Sequence, residues 1–457
     1  MKHKVRKTAG AVCFGLVLSG CMDASVGRGA FSPSGTAFSR NSASPRLLAN
    51  DNWWKTMRDP QLDRLIEVAT LQNLSLLQAV QRIRSAQAVL DGARIQSVFG
   101  SSIDAGYRGS ENTGPTETGT AELSLNWMFD PWGERAARER NASATVAVRR
   151  AEGDAAQLAM LLGMSTAYID YRYRQAVLDI LQRQERTARQ TLSNAQRLAE
   201  VQSATRVDVL RARAALSQAR TDMPGTQAAI ETRRNEIAVL LGRSPLPPLK
   251  LADGGQPKAR LPDNIGVPTD LLRNRPDVQA AEWRYRAALA QMDVDRAARY
   301  PKLSLSGVLN WSLFASNTDR LGYFLGPNIT FPDLPSTARA SITRSHAEAE
   351  IAWLDWKSSV LDAILEVENA LARHRAAAQT CARAQETVRL NREVLELTRQ
   401  LYASEEVTIS EVLDAEDALT TSELSLAAAV RDMTQTYVEV NVNLGAGHAP
   451  QSVAATQ

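Results

Sequence analysis

Apolar positions along the chain follow two different periods. Val412, Leu419, Leu426, Met433 and Val440 lie a heptad apart, with Ala415 and Ala429 between them. Leu390, Val394, Leu397 and Leu401 step by four, three and four, and Val177, Leu181, Ala188, Leu192, Ala195 and Ala199 behave alike. This is coiled-coil spacing, and its small residues allow close helix approach. No proline occurs between Pro131 and Pro224 or between Pro335 and Pro450, so neither window carries a residue that would cost about 3 kcal/mol inside a helix. One break is expected in each window, near Val201–Thr205 and near Ser404–Ile409, where Ser, Thr and β-branched residues interrupt the heptad. Helices are therefore predicted from about Trp132 to Glu200 and from Ser336 to Ser404. Each would be on the order of 100 Å long at about 1.5 Å per residue, too long for a compact domain and suited to a rod or tube.

Elsewhere the period falls to two. Leu123, Leu125, Trp127 and Phe129 alternate with Glu122, Ser124, Asn126 and Met128. Leu303, Leu305, Leu309, Trp311 and Leu313 alternate with Lys302, Ser304, Ser306, Asn310 and Ser312. Ile103, Ala105 and Tyr107 form a third run and Tyr323, Leu325, Ile329 and Phe331 a looser fourth. Of 25 aromatic residues, 11 fall within 99–132 and 300–331, which places aromatic rims on these runs and points to membrane β-strands. Two soluble hairpins packed on helices are the alternative. Four strands cannot close a barrel, and open edges are not tolerated in lipid. If the strands span a membrane, several chains share one barrel. The expected fold class is mainly α with a β-hairpin pair.

The halves resemble each other. Asp130-Pro131 ends one hairpin and Phe331-Pro332 the other, and Val207-Asp208-Val209-Leu210-Arg211-Ala212 is echoed by Ser410-Glu411-Val412-Leu413-Asp414-Ala415. The order predicted is a first structural repeat over 53–242, a proline-rich linker over 243–268, a second repeat over 269–447 and a flexible tail over 448–457.

The 457 residues carry 53 basic and 50 acidic side chains. Lys2, Lys4, Arg6 and Lys7 sit in residues 1–20 without an acid, so the remainder is slightly acidic, which argues against a nucleic-acid partner. Cys13, Cys21 and Cys381 are too few for a disulfide framework, and His3, His346, His374 and His448 lie too far apart for a metal cluster. No cofactor is expected. Residues 1–20 join the basic stretch to the short apolar run AGAVCFGLVLSG, the form of a secretory signal. Leu18-Ser19-Gly20-Cys21 resembles a bacterial lipobox, which implies cleavage before Cys21 and its acylation; an ordinary signal with a chance cysteine is the plainer reading. Residues 21–52 then form an acylated tether.

These features together resemble the TolC-type outer-membrane efflux proteins, in their NodT/OprM-like lipoprotein branch. The resemblance covers Trp53 to Gly447. Its most specific stretch is Leu271-Leu272-Arg273-Asn274-Arg275-Pro276-Asp277-Val278 followed by Ala280-Ala281-Glu282 and Pro301-Lys302-Leu303-Ser304-Leu305. Trp127–Gly133, Leu240–Pro245, Glu366–Leu371 and Val412–Ala415 add to it. It implies a homotrimer whose protomers each give four strands to a twelve-stranded outer-membrane barrel and their helices to a periplasmic tunnel. It also implies a periplasmic adaptor (membrane fusion) protein and an inner-membrane transporter as partners. Asp208, Tyr402, Glu411 and Asp414 then belong to the periplasmic gate, where threefold symmetry would make acidic rings that favour cations. Arg206 and Arg211 are candidate partners for these acids, and a solvated helix face is the plain alternative. Val201, Gln202, Ser203, Ser404, Glu405 and Glu406 form the tips that would meet the adaptor. The family usually has glycine where Gln202 and Glu405 stand.

No catalytic residue is expected. Gly445-Ala446-Gly447 follows no strand, G-x-x-x-x-G-K-[ST], G-x-S-x-G and H-E-x-x-H patterns are absent from the sequence, and Cys381 reads as a packed helical cysteine. The function expected is a passive exit duct for small molecules, the outer-membrane part of a tripartite efflux system. A lipid-anchored periplasmic coiled-coil scaffold with no channel is the alternative.

Overall fold

A computed structural model describes residues 52–96, 99–110, 116–261, 275–313, 320–332, 335–404 and 406–447. Cys21, Glu405, the segment 271–274 and the C-terminal tail lie outside the described residues. After a 3-10 turn at Trp53–Met57, the first half comprises α1 (Pro60–Gln72), α2 (Leu74–Gln96), β1 (Phe99–Ser110), β2 (Thr116–Phe129), α3 (Glu134–Glu200), α4 (Arg206–Thr221) and α5 (Met223–Leu240). The second comprises α6 (Pro276–Ala297), β3 (Lys302–Leu313), β4 (Arg320–Thr330), α7 (Pro335–Ala403) and α8 (Ile409–Asn443).

The two long helices have 67 and 69 residues, close to the spans the heptads and the proline gaps predict. Both breaks fall where expected. One more is present in the first half, between α4 and α5 at Asp222. Pro224 stands in the first turn of α5, where its missing N–H costs nothing, whereas a continuous helix would lose a bond there. The α8 arm has no such proline and runs unbroken for 35 residues. Helix α7 packs along α8, and α3 along α6 and α8. None of the described helices is long and apolar enough to cross a membrane.

The strands form one antiparallel sheet in the order β1-β2-β3-β4. The register aligns Ile103, Leu123, Leu309 and Tyr323 in one row and Asp104, Glu122, Asn310 and Gly322 in the next. Side chains alternate across a strand, so Leu125, Trp127, Leu305, Leu309 and Trp311 share a face that Ser124, Asn126, Ser304 and Ser306 do not. The polar face bonds within itself: Asn310 Nδ2 donates to Glu122 at 3.1 Å, and Ser306 Oγ to Asn126 at 3.4 Å. Among the described residues nothing covers the apolar face, where Ile103 is 78% and Tyr323 86% exposed. Strands β1 and β4 each keep an open edge among the described residues.

Each half ends in the same helix stop. Gly242 at φ 70° and Gly445 at φ 74° follow α5 and α8, with Arg243 N–H bonded to Ala238 O and Ala446 N–H to Asn441 O, the glycine-based cap that releases the chain from a helix. A Cβ on Gly242 would come within 2.4 Å of the Gln72 carbonyl oxygen. Each stop is tied to the first helix of its own half. Asn73 Nδ2 donates to Leu240 O, and Arg275 donates to Asn443 O, both at 2.8 Å. Arg275 is buried and also pairs with Asp277 and Glu366 at 2.6 Å. Trp53, wholly buried, donates its indole N–H to Ala446 O at 3.1 Å and packs edge-on against Tyr437. It is a packing residue at the C-terminal stop.

Candidate functional site at the hairpin tips

The turns between α3 and α4 and between α7 and α8 bring the predicted residues together. Thr205 precedes α4 and Thr408 precedes α8, each three residues before an acid. Asp208 Oδ2 accepts from the Thr205 N–H at 2.9 Å and its hydroxyl at 2.7 Å. Glu411 Oε2 accepts from the Thr408 N–H and, at 2.9 Å, its hydroxyl. Both acids therefore satisfy the start of their own helix, as in a capping box. The Thr205 bonds hold the Asp208 carboxyl below the usual range, helped by the Arg211 charge.

Asp414 lies one turn further along α8. It is exposed and makes no hydrogen bond or ion pair among the described residues. The two acids that the spacing puts on one face thus differ in state: Glu411 is folded back on Thr408, and Asp414 projects freely. Arg206 and Arg211 are exposed and form no ion pair among the described residues.

Tyr402 is half-buried near the end of α7 and packs with Leu192, Val209 and Leu413 around the buried Ala195, Ala212 and Ile409. That cluster joins all four helices of the two hairpins. Burial, and then the Asp208 charge, push the Tyr402 hydroxyl pKa up, so it stays protonated at neutral pH.

A groove of about 1330 Å³ runs between the hairpins beside these residues, lined by Arg186, Thr191, Asp208, Arg211, Arg399 and Glu416 among others. Glu416, only 9% exposed, accepts from Arg399 at 2.9 Å and from Thr191 at 3.1 Å. Two turns along, Glu423 bridges Arg183 and Arg392 at 3.1 and 3.0 Å. Sequence reasoning missed Glu416. It follows the core position Ala415 in the heptad and reads as a flanking charge, but α3, more than 200 residues earlier, covers it. No local signal carries that pairing.

At the tips, Val201 and Ser203 are exposed, and Ser203 N–H bonds to Leu198 O at 2.8 Å. Gln202 between them has φ 68°, a left-handed conformation that favours glycine. On the other hairpin Ser404 Oγ donates to Leu401 O at 3.0 Å, and Glu406 N–H to the same carbonyl at 2.9 Å.

Comparison with known proteins places this arrangement. Residues 65–243 and 267–446 match the family described as outer membrane efflux protein. The chain is 30% identical over 416 residues to Nodulation protein T of Rhizobium leguminosarum bv. trifolii, covering 88% of this chain and 89% of that protein. It is 31% identical over 344 residues to the pyoverdine export outer membrane protein OpmQ of Pseudomonas aeruginosa, covering 70% and 71%. The outer-membrane channel OprN superposes with a TM-score of 0.81 at 25% identity over 91% of this chain and 97% of that one. The Campylobacter jejuni CmeC outer membrane channel, at 17% identity and a TM-score of 0.81, shares the fold. With its two long helical hairpins and four-stranded sheet, the chain belongs to the outer membrane efflux protein family.

Proposed function

We propose that the chain works as a homotrimer, each copy giving four strands to a closed twelve-stranded outer-membrane barrel and its helices to a periplasmic tunnel through which small molecules leave. The observation that carries this reading is the sheet. Among the described residues its apolar face is bare, its other face is polar and internally bonded, and both edges are open. A single copy in lipid would leave those edge N–H and C=O groups unsatisfied, at a cost of several kcal/mol each, and closure with further copies removes the edges. The helices agree. Leu390, Val394, Leu397 and Leu401 on α7 keep the heptad yet are exposed, as are Val207 and Leu210 on α4. A seam of that kind is complete when α7 of one copy lies against α4 of the next.

In this assembly Asp208, Tyr402, Glu411 and Asp414 stand near the periplasmic end as its gate. The tips, Val201–Ser203 and Ser404–Glu406, meet a periplasmic adaptor that links the duct to an inner-membrane transporter. The chain itself performs no chemistry. Cys21 carries lipid and adds an anchor beside the barrel. Each half, 53–242 and 269–447, is one structural repeat, joined through 243–268.

Fractionation of the envelope with cross-linking tests the reading. Recovery in the outer membrane as a heat-resistant band of three copies, conducting in planar bilayers, is the expected result. A soluble or monomeric periplasmic protein without conductance would instead favour the coiled-coil scaffold. Labelling with a radioactive fatty acid tests the anchor: the label is expected in the wild type and not in Cys21→Ser.

A further inference from the structure

The segment that joins the two halves is laid across three long helices, and one histidine fastens it at Leu261. Arg172 of α3, itself buried, donates to the Ala252 carbonyl at 2.8 Å. A Cβ on Gly254 would lie about 3.0 Å from that guanidinium, so the backbone passes directly over it. Gln256 Nε2 then donates to Ala427 O of α8 at 2.9 Å, and Thr434 of α8 donates to Pro257 O at 3.0 Å. Ala259 and Leu261 are buried. The last bond runs from the Leu261 N–H to Nε2 of His374 on α7, at 3.1 Å, with His374 only 4% exposed.

This bond fixes the state of the ring. Nε2 accepts, so it carries no proton. Nδ1 lies 3.0 Å from Thr436 Oγ1. The Thr436 hydroxyl has the Asp432 and Met433 carbonyls at 2.9 and 3.0 Å for its own proton, which leaves its oxygen to accept from Nδ1–H. The ring is a neutral Nδ1–H tautomer. A second proton has only Nε2 to occupy, where it would face the Leu261 N–H donor.

We propose that His374 is a proton-operated latch: its neutral ring holds the linker segment across α3, α8 and α7, and protonation of Nε2 releases the segment at Leu261. The charged and titratable groups around the ring favour the neutral form. Arg260 of the linker is the cation acting on it, and Tyr437 of α8 is in ring contact at 6.4 Å. On α7 itself Arg373 is engaged by Glu439 of α8 at 3.1 Å, and Arg375 follows. Among the described residues no carboxylate acts on the imidazole to favour its charged form. Burial draws its pKa below the ordinary histidine value, against a Met433 backbone hydrogen bond that favours the charged form and with the help of the Arg260 charge. The sign follows. A group whose folded pKa is depressed contributes fully above its unfolded pKa, near 6.5, and its contribution is lost as pH falls through the folded value. The latch is closed at neutral pH and opens on acidification.

Hydrogen exchange of the full-length protein, read on peptides covering 249–261 and corrected for the intrinsic pH dependence of exchange, tests this. In the wild type, protection at Leu261 is expected to fall at least tenfold between pH 7.5 and pH 5.0. His374→Gln, which keeps an acceptor and does not titrate, is expected to change less than twofold. Arg260→Gln, an exposed position, removes the opposing charge and is expected to move the wild-type loss to higher pH. Constant protection in the wild type overturns the latch. So does a loss of the same size in His374→Gln, or an unmoved midpoint in Arg260→Gln; the Arg260 variant decides the matter if His374→Gln does not assemble.

Discussion

Asp208 and Glu411 do the same work at the starts of α4 and α8: each carboxylate reaches back to the N–H and hydroxyl of a threonine three residues earlier. The two hairpins of the chain therefore turn on one repeated device, and the first helical turn at each tip depends on an acid that also faces the solvent.

Removing the threonine tests the device. Thr205→Ala and Thr408→Ala are each expected to weaken the local turn by about 0.5–2 kcal/mol, the usual worth of an N-cap. The Asp208 carboxyl is held below its ordinary range, so the α4 cap is at full strength above that range and fades as pH falls through the lowered value. Hydrogen exchange at residues 206–211 is expected to rise in Thr205→Ala at neutral pH, with a smaller difference from wild type at strongly acidic pH.

The sheet register assigns faces that a single charge can probe. Leu305 pairs with Trp127 on the apolar face, and Ser306 pairs with Asn126 on the polar one. An arginine near the midplane of a lipid face costs about 2–4 kcal/mol, whereas a lumen-facing one is solvated. Leu305→Arg is expected to reduce the heat-resistant oligomer recovered from membranes, and Ser306→Arg to leave it near the wild-type amount. The opposite order would mean that the faces are inverted.

Much of this was legible in local sequence. Heptads and proline gaps set both long helices, and the period of two set the strands together with the faces of Leu125, Leu305 and Leu309. Register between β2 and β3 was not, because α3 to α6 and the linker lie between the partners and no turn fixes their offset. The break at Asp222 lay at the edge of a proline-free window and was passed over. At the tips, the repeated motif marked Asp208, Glu411 and Asp414, and Tyr402 came only from the family resemblance. The state of Glu411 was not legible, because Thr408-Ile409-Ser410-Glu411 has the capping-box form but an acid at that position can equally project into solvent. Glu416 with Arg399 and Thr191 needed the packing of three helices to appear.

Gln202 occupies a left-handed conformation, which glycine adopts more readily than any residue with a side chain. A side chain there costs about 1–2 kcal/mol, against which glycine loses more freedom on folding, so the net gain from replacing it is smaller. Gln202→Gly is expected to stabilise the tip by about 0.5–1 kcal/mol, read as slower exchange of the Ser203 and Ala204 amides, whose bonds to Leu198 O close the turn. Gln202→Val, β-branched, is expected to do the reverse.

Glu416 is the buried acid that joins α3, α7 and α8. Its charge-assisted bond to Arg399 is half open to solvent on the arginine side, which lowers its worth to about 1–2 kcal/mol. Glu416→Gln is expected to lower the protein's melting temperature. In a double-mutant cycle with Arg399→Gln, the effects are expected to fall short of additive. Full additivity would show that the two side chains do not act together.

The two acids of the proposed gate have separable roles. Glu411 and Asp414 lie one turn apart on α8, but Glu411 is occupied by the Thr408 cap and Asp414 has no partner among the described residues. A charge that is free to meet a passing ion acts on selectivity, and one committed to a helix start acts on the shape of the tip. Asp414→Asn is therefore expected to reduce cation preference in planar bilayers with little change in hairpin stability. Glu411→Gln is expected to loosen the α8 start, raising exchange at residues 409–412 and the frequency of opening, while single-channel ion preference stays closer to wild type. Neutralising Glu368, far from the tip on α7, is the control and should alter neither. Equal loss of ion preference in both tip variants would mean that Glu411 leaves its cap in the conducting state. No loss in Asp414→Asn would make that acid part of a solvated face and remove it from the gate.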